Sequence, residues 1–137
     1  MTIRSLHLAA ALIPLIIAAP ALAESRSERR AAQMSAWVEA GEPQDCIPLN
    51  RIRETRVLSD QVIDFIMDNG EVFRNTLPHK CPQLGFQESF GYQTSLNQLC
   101  NVDIITVIIP GIGPNTGASC GLGRFTPMKA AEAPAAK

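Results

Sequence analysis

Apolar and polar positions alternate along this chain in three rhythms, each predicting a different kind of element. From Leu8 to Ala19 the side chains are apolar throughout, apart from Pro14, and the only charge before them is Arg4. The run closes on Pro20-Ala21-Leu22-Ala23, with small side chains at the two subsites that a signal peptidase accommodates, and turns polar at Glu24-Ser25-Arg26. That layout predicts a signal peptide over 1–23, cleaved after Ala23. The stretch is too short and too rich in proline for a transmembrane helix, which needs about 20 apolar residues. No cysteine follows the small residues, which argues against a lipid anchor.

The second rhythm is helical. Ala31, Met34, Trp37 and Val38 place an apolar stripe on a helix from Ser27 to Ala40, with Ser27 as N-cap and Gly41 and Pro43 as stop signals. Arg29 and Arg30 near its start oppose the helix dipole. Residues 24–44 read as this helix and a linker.

From Cys46 onward, branched and aromatic clusters separated by turn residues predict strands at Ile52–Leu58, Gln61–Met67, Glu71–Leu77, Phe86–Thr94, Asp103–Ile109 and Cys120–Thr126. Asn69-Gly70 signals a hairpin, because a type I′ turn needs positive φ at both central residues. A two-residue loop there sets Ile66 opposite Phe73, Phe65 opposite Arg74 and Val62 opposite Leu77. A competing reading makes Ser59 to Asn69 a helix ended by Gly70. The β-branched content, and an acidic residue in what would be its last turn, favour the strand. Asp103–Ile109, nearly all branched and apolar, fits a central strand buried on both faces. The fold class is therefore all-β: a small antiparallel barrel or sandwich of about five to six strands spanning 45–128, with an Ala/Pro-rich disordered tail at 129–137.

A domain that small buries only about 60–65% of its unfolded surface, so cross-links would help it. Cys46, Cys81, Cys100 and Cys120 all lie in it, and an even count in an exported chain reads as two disulfides. An up-and-down meander puts successive strand ends at alternating ends of the sheet. That parity joins Cys46 to Cys100 and Cys81 to Cys120. If Phe86–Thr94 is a loop, the parity flips to Cys81 with Cys100 and Cys46 with Cys120.

Several motifs together, Arg51-Ile52-Arg53, Asn75-Thr76-Leu77, Cys81-Pro82, Leu99-Cys100-Asn101-Val102-Asp103 and Cys120-Gly121-Leu122-Gly123-Arg124-Phe125, give the chain a resemblance over about Asp45 to Phe125. It resembles a family of small exported Gram-negative bacterial proteins classed only as a domain of unknown function. The resemblance implies a signal peptide followed by one β-rich domain, and no activity.

Twelve Lys and Arg against 13 Asp and Glu leave the chain near neutrality. No overall basic surface is implied, which argues against nucleic acid or an anionic membrane as partner. No catalytic, cofactor or metal residue is assigned. The cysteines are too far apart for C-x-x-C redox chemistry. His79, with Cys81, lacks the paired spacing of a zinc site, and as a base it has no recognisable nucleophile. Asp64 facing Asn75, and Glu88 beside Phe90 and Tyr92, read as polar positions on strand faces. Gly111 to Gly117 lacks the ending of a phosphate loop and reads as a flexible hairpin loop. Phe86, Phe90 and Tyr92 read as core before they read as a stacking platform.

The resulting expectation is a periplasmic or secreted, non-enzymatic β domain without cofactor or membrane span. Its partner would be an envelope protein or a small ligand, held through a sheet face or a loop such as Pro110–Ser119. The alternatives are a small inhibitor of an extracellular or periplasmic hydrolase and a carboxylate-dependent enzyme of unrecognised type.

Overall fold

The computed structural model describes residues 25–113 and 117–132, so the expected leader and the last five residues lie outside the described part. The chain forms α1 (Arg26–Ser35), β1 (Trp37–Glu39), β2 (Cys46–Pro48), β3 (Ile52–Val57), β4 (Val62–Met67), β5 (Val72–Thr76), α2 (Leu84–Gln87), β6 (Phe90–Tyr92), β7 (Gln98–Cys100), β8 (Ile104–Val107), β9 (Ser119–Gly121) and β10 (Phe125–Ala130). Every strand pairing is antiparallel: a five-stranded sheet β1-β10-β5-β4-β3, a ribbon β2-β7, and a three-stranded sheet β6-β8-β9. The large sheet is not closed into a barrel; β1 and β3 are its edges.

Hairpin β4–β5 shows how local turn chemistry sets the faces. Gly70 N–H donates to Met67 O and Met67 N–H donates to Glu71 O, enclosing three loop residues, and only Gly70 takes positive φ, at 87°. This is a type I turn followed by a glycine bulge, not the two-residue I′ turn expected. The register accordingly differs by one residue: Phe65 faces Phe73, Asp64 faces Arg74 and Val62 faces Thr76. One residue decides which face every side chain occupies. The observed register sorts aromatics to one face and charge to the other, where the expected one set Phe65 against Arg74.

The inner face joins all three sheets in one core. Phe65 lies edge-to-face with Phe125 of β10 (centroids 5.5 Å apart) and with Phe90 of β6 (6.3 Å). Ile47 of β2, Leu99 of β7, and Ile105 and Val107 of β8 belong to the same buried cluster. Two disulfides cross-link it. Cys46–Cys100 joins directly opposed residues of β2 and β7, and Cys81–Cys120 ties the segment after β5 to β9. These are the pairs of the first scheme, although the chain is no simple meander: β10 returns to lie between β5 and β1.

Several other expectations are corrected. The N-cap is Ser25, not Ser27, because Ser25 and Glu28 form a reciprocal capping box. The helix stops at Ser35, and Trp37–Glu39 leaves it to pair with β10, so the end of the expected Ser27–Ala40 helix is a strand. Phe86–Thr94 splits into α2 and β6, and Cys120–Thr126 into β9 and β10. β10 continues through Pro127, whose carbonyl accepts from Ala40 N–H, to Ala130, taking in the first two residues of the expected tail. The strand buried on both faces is β4, all six residues of it; in β8 only Ile105 and Val107 are buried, while Ile104 is exposed.

Candidate functional site

The outer face of the large sheet carries a cross-strand row Arg56–Asp64–Arg74. Asp64 and Arg74 are nearly buried and form a two-point ion pair, Nε to Oδ1 at 2.7 Å and Nη2 to Oδ2 at 2.9 Å. The remaining Arg74 nitrogen, Nη1, donates to Met34 O at 3.2 Å and so holds α1 over this face. A fork of fixed donors serves both a carboxylate and a carbonyl here, which an ammonium on a flexible stem would do poorly.

Helix α1 is pinned a second time at α2. Arg30 Nη2 donates to Gly85 O at 2.5 Å and pairs with Glu88, while Arg26 lies 4.0 Å from the same carboxylate. Short α2 is bracketed by Gln83 (φ 67°) and Glu88 (φ 53°), the two non-glycine residues with positive φ among the described residues. Each costs about 1–2 kcal/mol and persists only because its surroundings hold it. Gly85 between them fits where a β-carbon would lie 3.0 Å from Asp60, whose Oδ1 accepts its N–H. The tight backbone leaves Phe86 75% exposed.

Between α1, β3 and α2 runs a groove of about 470 Å³ whose charged lining is Arg26, Arg29, Arg30, Arg56, Glu54 and Glu88. Glu54 is bound by Arg56 through Nε and Nη2 at 2.8 and 3.2 Å. That hydrogen bond holds the Glu54 carboxyl below its ordinary value and raises the Arg56 guanidinium further. Four arginines against two glutamates leave a cationic surplus, with Arg29 in no ion pair among the described residues and Arg26 loosely held. Sharing Arg26 and Arg30 with the groove is a second cavity, of about 510 Å³. Its other lining includes Ala31, Met34, Leu58, Asp60 and Phe86.

The residues singled out from the sequence go elsewhere. Asp64 meets Arg74, and Asn75 is fully buried opposite Ile63, where its amide donates to Gly123 O (2.7 Å) and accepts from Gly123 N–H (2.8 Å). It substitutes for a strand neighbour at a place where a β-carbon on Gly123 would meet Thr76 O at 2.0 Å. Glu88 binds Arg30 rather than sitting beside Phe90 and Tyr92 on a strand face. Phe90 and Tyr92 pack on the core, so they form no platform with Phe86. His79 is exposed beside the Cys81–Cys120 bridge, and among the described residues no group of three His, Cys, Asp or Glu gathers to hold a metal. The Gly111 segment joins β8 to β9 as a hairpin connection, and residues 114–116 lie outside the described part.

The arginine groove was missed because whole-chain charge is blind to clustering. The signal was present: Arg26, Arg29 and Arg30 have the i, i+3, i+4 spacing that places them on one helical face. Compared with protein-family models, curated proteins and solved structures, the chain matches none.

Proposed function

We propose that this protein is an exported, non-enzymatic binding module whose ligand is an anion held in the groove between α1, β3 and α2. The observation carrying this reading is the excess of arginine over carboxylate in that groove, on a helix fixed from two sides by Arg74 and Arg30. The planar forks of arginine suit an oxyanion, and Arg30, already held by Gly85 O and Glu88, loses little freedom when it binds one. The reading includes the signal peptide over 1–23, a periplasmic or secreted location, kinship with the exported family named above, and a sandwich-like stacking of the smaller sheets on the large one. Two disulfides support an oxidising compartment. Among the described residues no helix is long and apolar enough to cross a membrane.

Titration of the processed protein with inorganic phosphate, followed by amide chemical shifts, tests the reading. Arg26→Ala with Arg29→Ala is expected to weaken binding about tenfold, while Arg53→Ala with Lys80→Ala, the same loss of two charges at exposed positions outside the groove lining, leaves it nearly unchanged. Equal weakening by both would reduce the effect to net charge and overturn the site.

A further inference from the structure

The groove does not end at its arginines. Arg30 donates to Gly85 O, and the next residue, Phe86, exposes its ring on the far side, into the cavity that Met34, Ala31 and Leu58 line. Arg26 and Arg30 thus stand between a charged groove and a mainly apolar one, and both volumes fall within the range of small-molecule sites. Exposed Phe86 has a positional cause: α2 is four residues long, closed at both ends by left-handed non-glycine residues, and tied to Asp60 and Arg30. Backbone strain gathered at one point of a fold, and presenting an aromatic ring to solvent, is an observation independent of the charge.

We infer that the ligand is a single-chain anionic amphiphile, with its charged head on Arg26, Arg29 and Arg30 and its alkyl chain along Phe86, Met34 and Leu58. This inference rests on the anion site proposed above and adds the tail. The head keeps its charge solvated by guanidinium forks, while burying each methylene contributes about 0.8 kcal/mol. Asp60 also lines the apolar side, but its Oδ1 is committed to Gly85 N–H. An unbranched chain beside an exposed ring is therefore favoured there over a second charged group.

Four probes distinguish the possibilities, each titrated into the processed full-length protein: inorganic phosphate, octyl phosphate and octyl glucoside below their micellar concentrations, and vesicles of anionic phospholipid. Octyl phosphate is expected to bind at least about tenfold tighter than inorganic phosphate, the equivalent of two methylenes leaving water. Phe86→Ser and Met34→Ser, at positions that are already exposed, should remove that advantage and leave phosphate binding intact. Equal affinity for the two phosphates would overturn the amphiphile and spare the anion site. Binding of octyl glucoside without either phosphate would overturn both. Vesicle binding that survives Phe86→Ser and exceeds that of octyl phosphate would assign the face to a membrane surface instead.

Discussion

On the inner face of the five-stranded sheet, Phe65, Phe73 and Phe125 join Ile47, Leu99, Ile105 and Val107 in a core without charge, and the disulfides tie the strands around it. On the outer face of the same strands, one residue away along the chain, Asp64 and Arg74 form a nearly buried ion pair and the guanidinium also grips α1. The first arrangement is non-directional and tolerates modest changes of shape. The second works only while every donor keeps its acceptor, because a buried charge left alone is strongly destabilising. Stability is thus concentrated on one face, and geometric control of the arginine-bearing helix on the other.

The sharpest way to break this division is to reduce both disulfides. Loops of 39 and 54 residues are closed, and each bridge is expected to contribute about 4 kcal/mol by restricting the unfolded chain. Losing both approaches the whole stability of a small domain, so reductant should unfold the protein by circular dichroism. On the outer face, Arg74→Met should cost about 3–5 kcal/mol in denaturant unfolding, while adding Asp64→Leu should restore most of it. If the double variant is no better than the single, the pair is not acting as a unit. Asn75→Ala, which orphans Gly123 N–H and O, should cost about 2 kcal/mol, and Asn75→Asp should not rescue it because the donor is gone.

How far these faces could be read in advance depended on whether a signal was local. The β3–β4–β5 meander was legible because alternation and Asn69-Gly70 are local, yet its register was not, since Asn69 adopts negative φ and adds a third loop residue. Strands β1, β2, β7 and β9 have three residues each, too few for a period to show. β10 runs past the expected strand end at Thr126, and Pro127 is tolerated within it because its carbonyl, and so the side of its missing N–H, faces Ala40 just beyond β1 rather than its partner Phe73 in β5. The disulfide pairs were reached through strand parity, while the topology that brings them together is not the meander assumed. For the site, the three arginines of α1 were visible, but their meeting with Arg56 and Glu88 depends on tertiary contacts with no sequence pattern.

The smallest expected effect concerns the start of α1. Glu28 accepts from Ser25 N–H and its side chain also interacts with Ser25, and those bonds hold its carboxyl below the ordinary value. A depressed folded-state pKa contributes stability that is present above the unfolded value and lost as pH falls through the folded one. The Ser25 amide signal should therefore shift on acidification through the carboxylate range, whereas Glu28→Gln, which keeps the capping geometry, should remove that titration. An unchanged profile in the variant would detach the cap from Glu28.

The division of labour between the faces is tested most directly by mapping amide chemical-shift changes across the processed protein as octyl phosphate is added. The account predicts changes confined to α1, the Ile52–Asp60 segment and the Gln83–Glu88 segment, appearing only at about tenfold higher concentration in Arg26→Ala with Arg29→Ala. Changes centred on β6, β8 and β9, or spread through the core around Phe65, would contradict it.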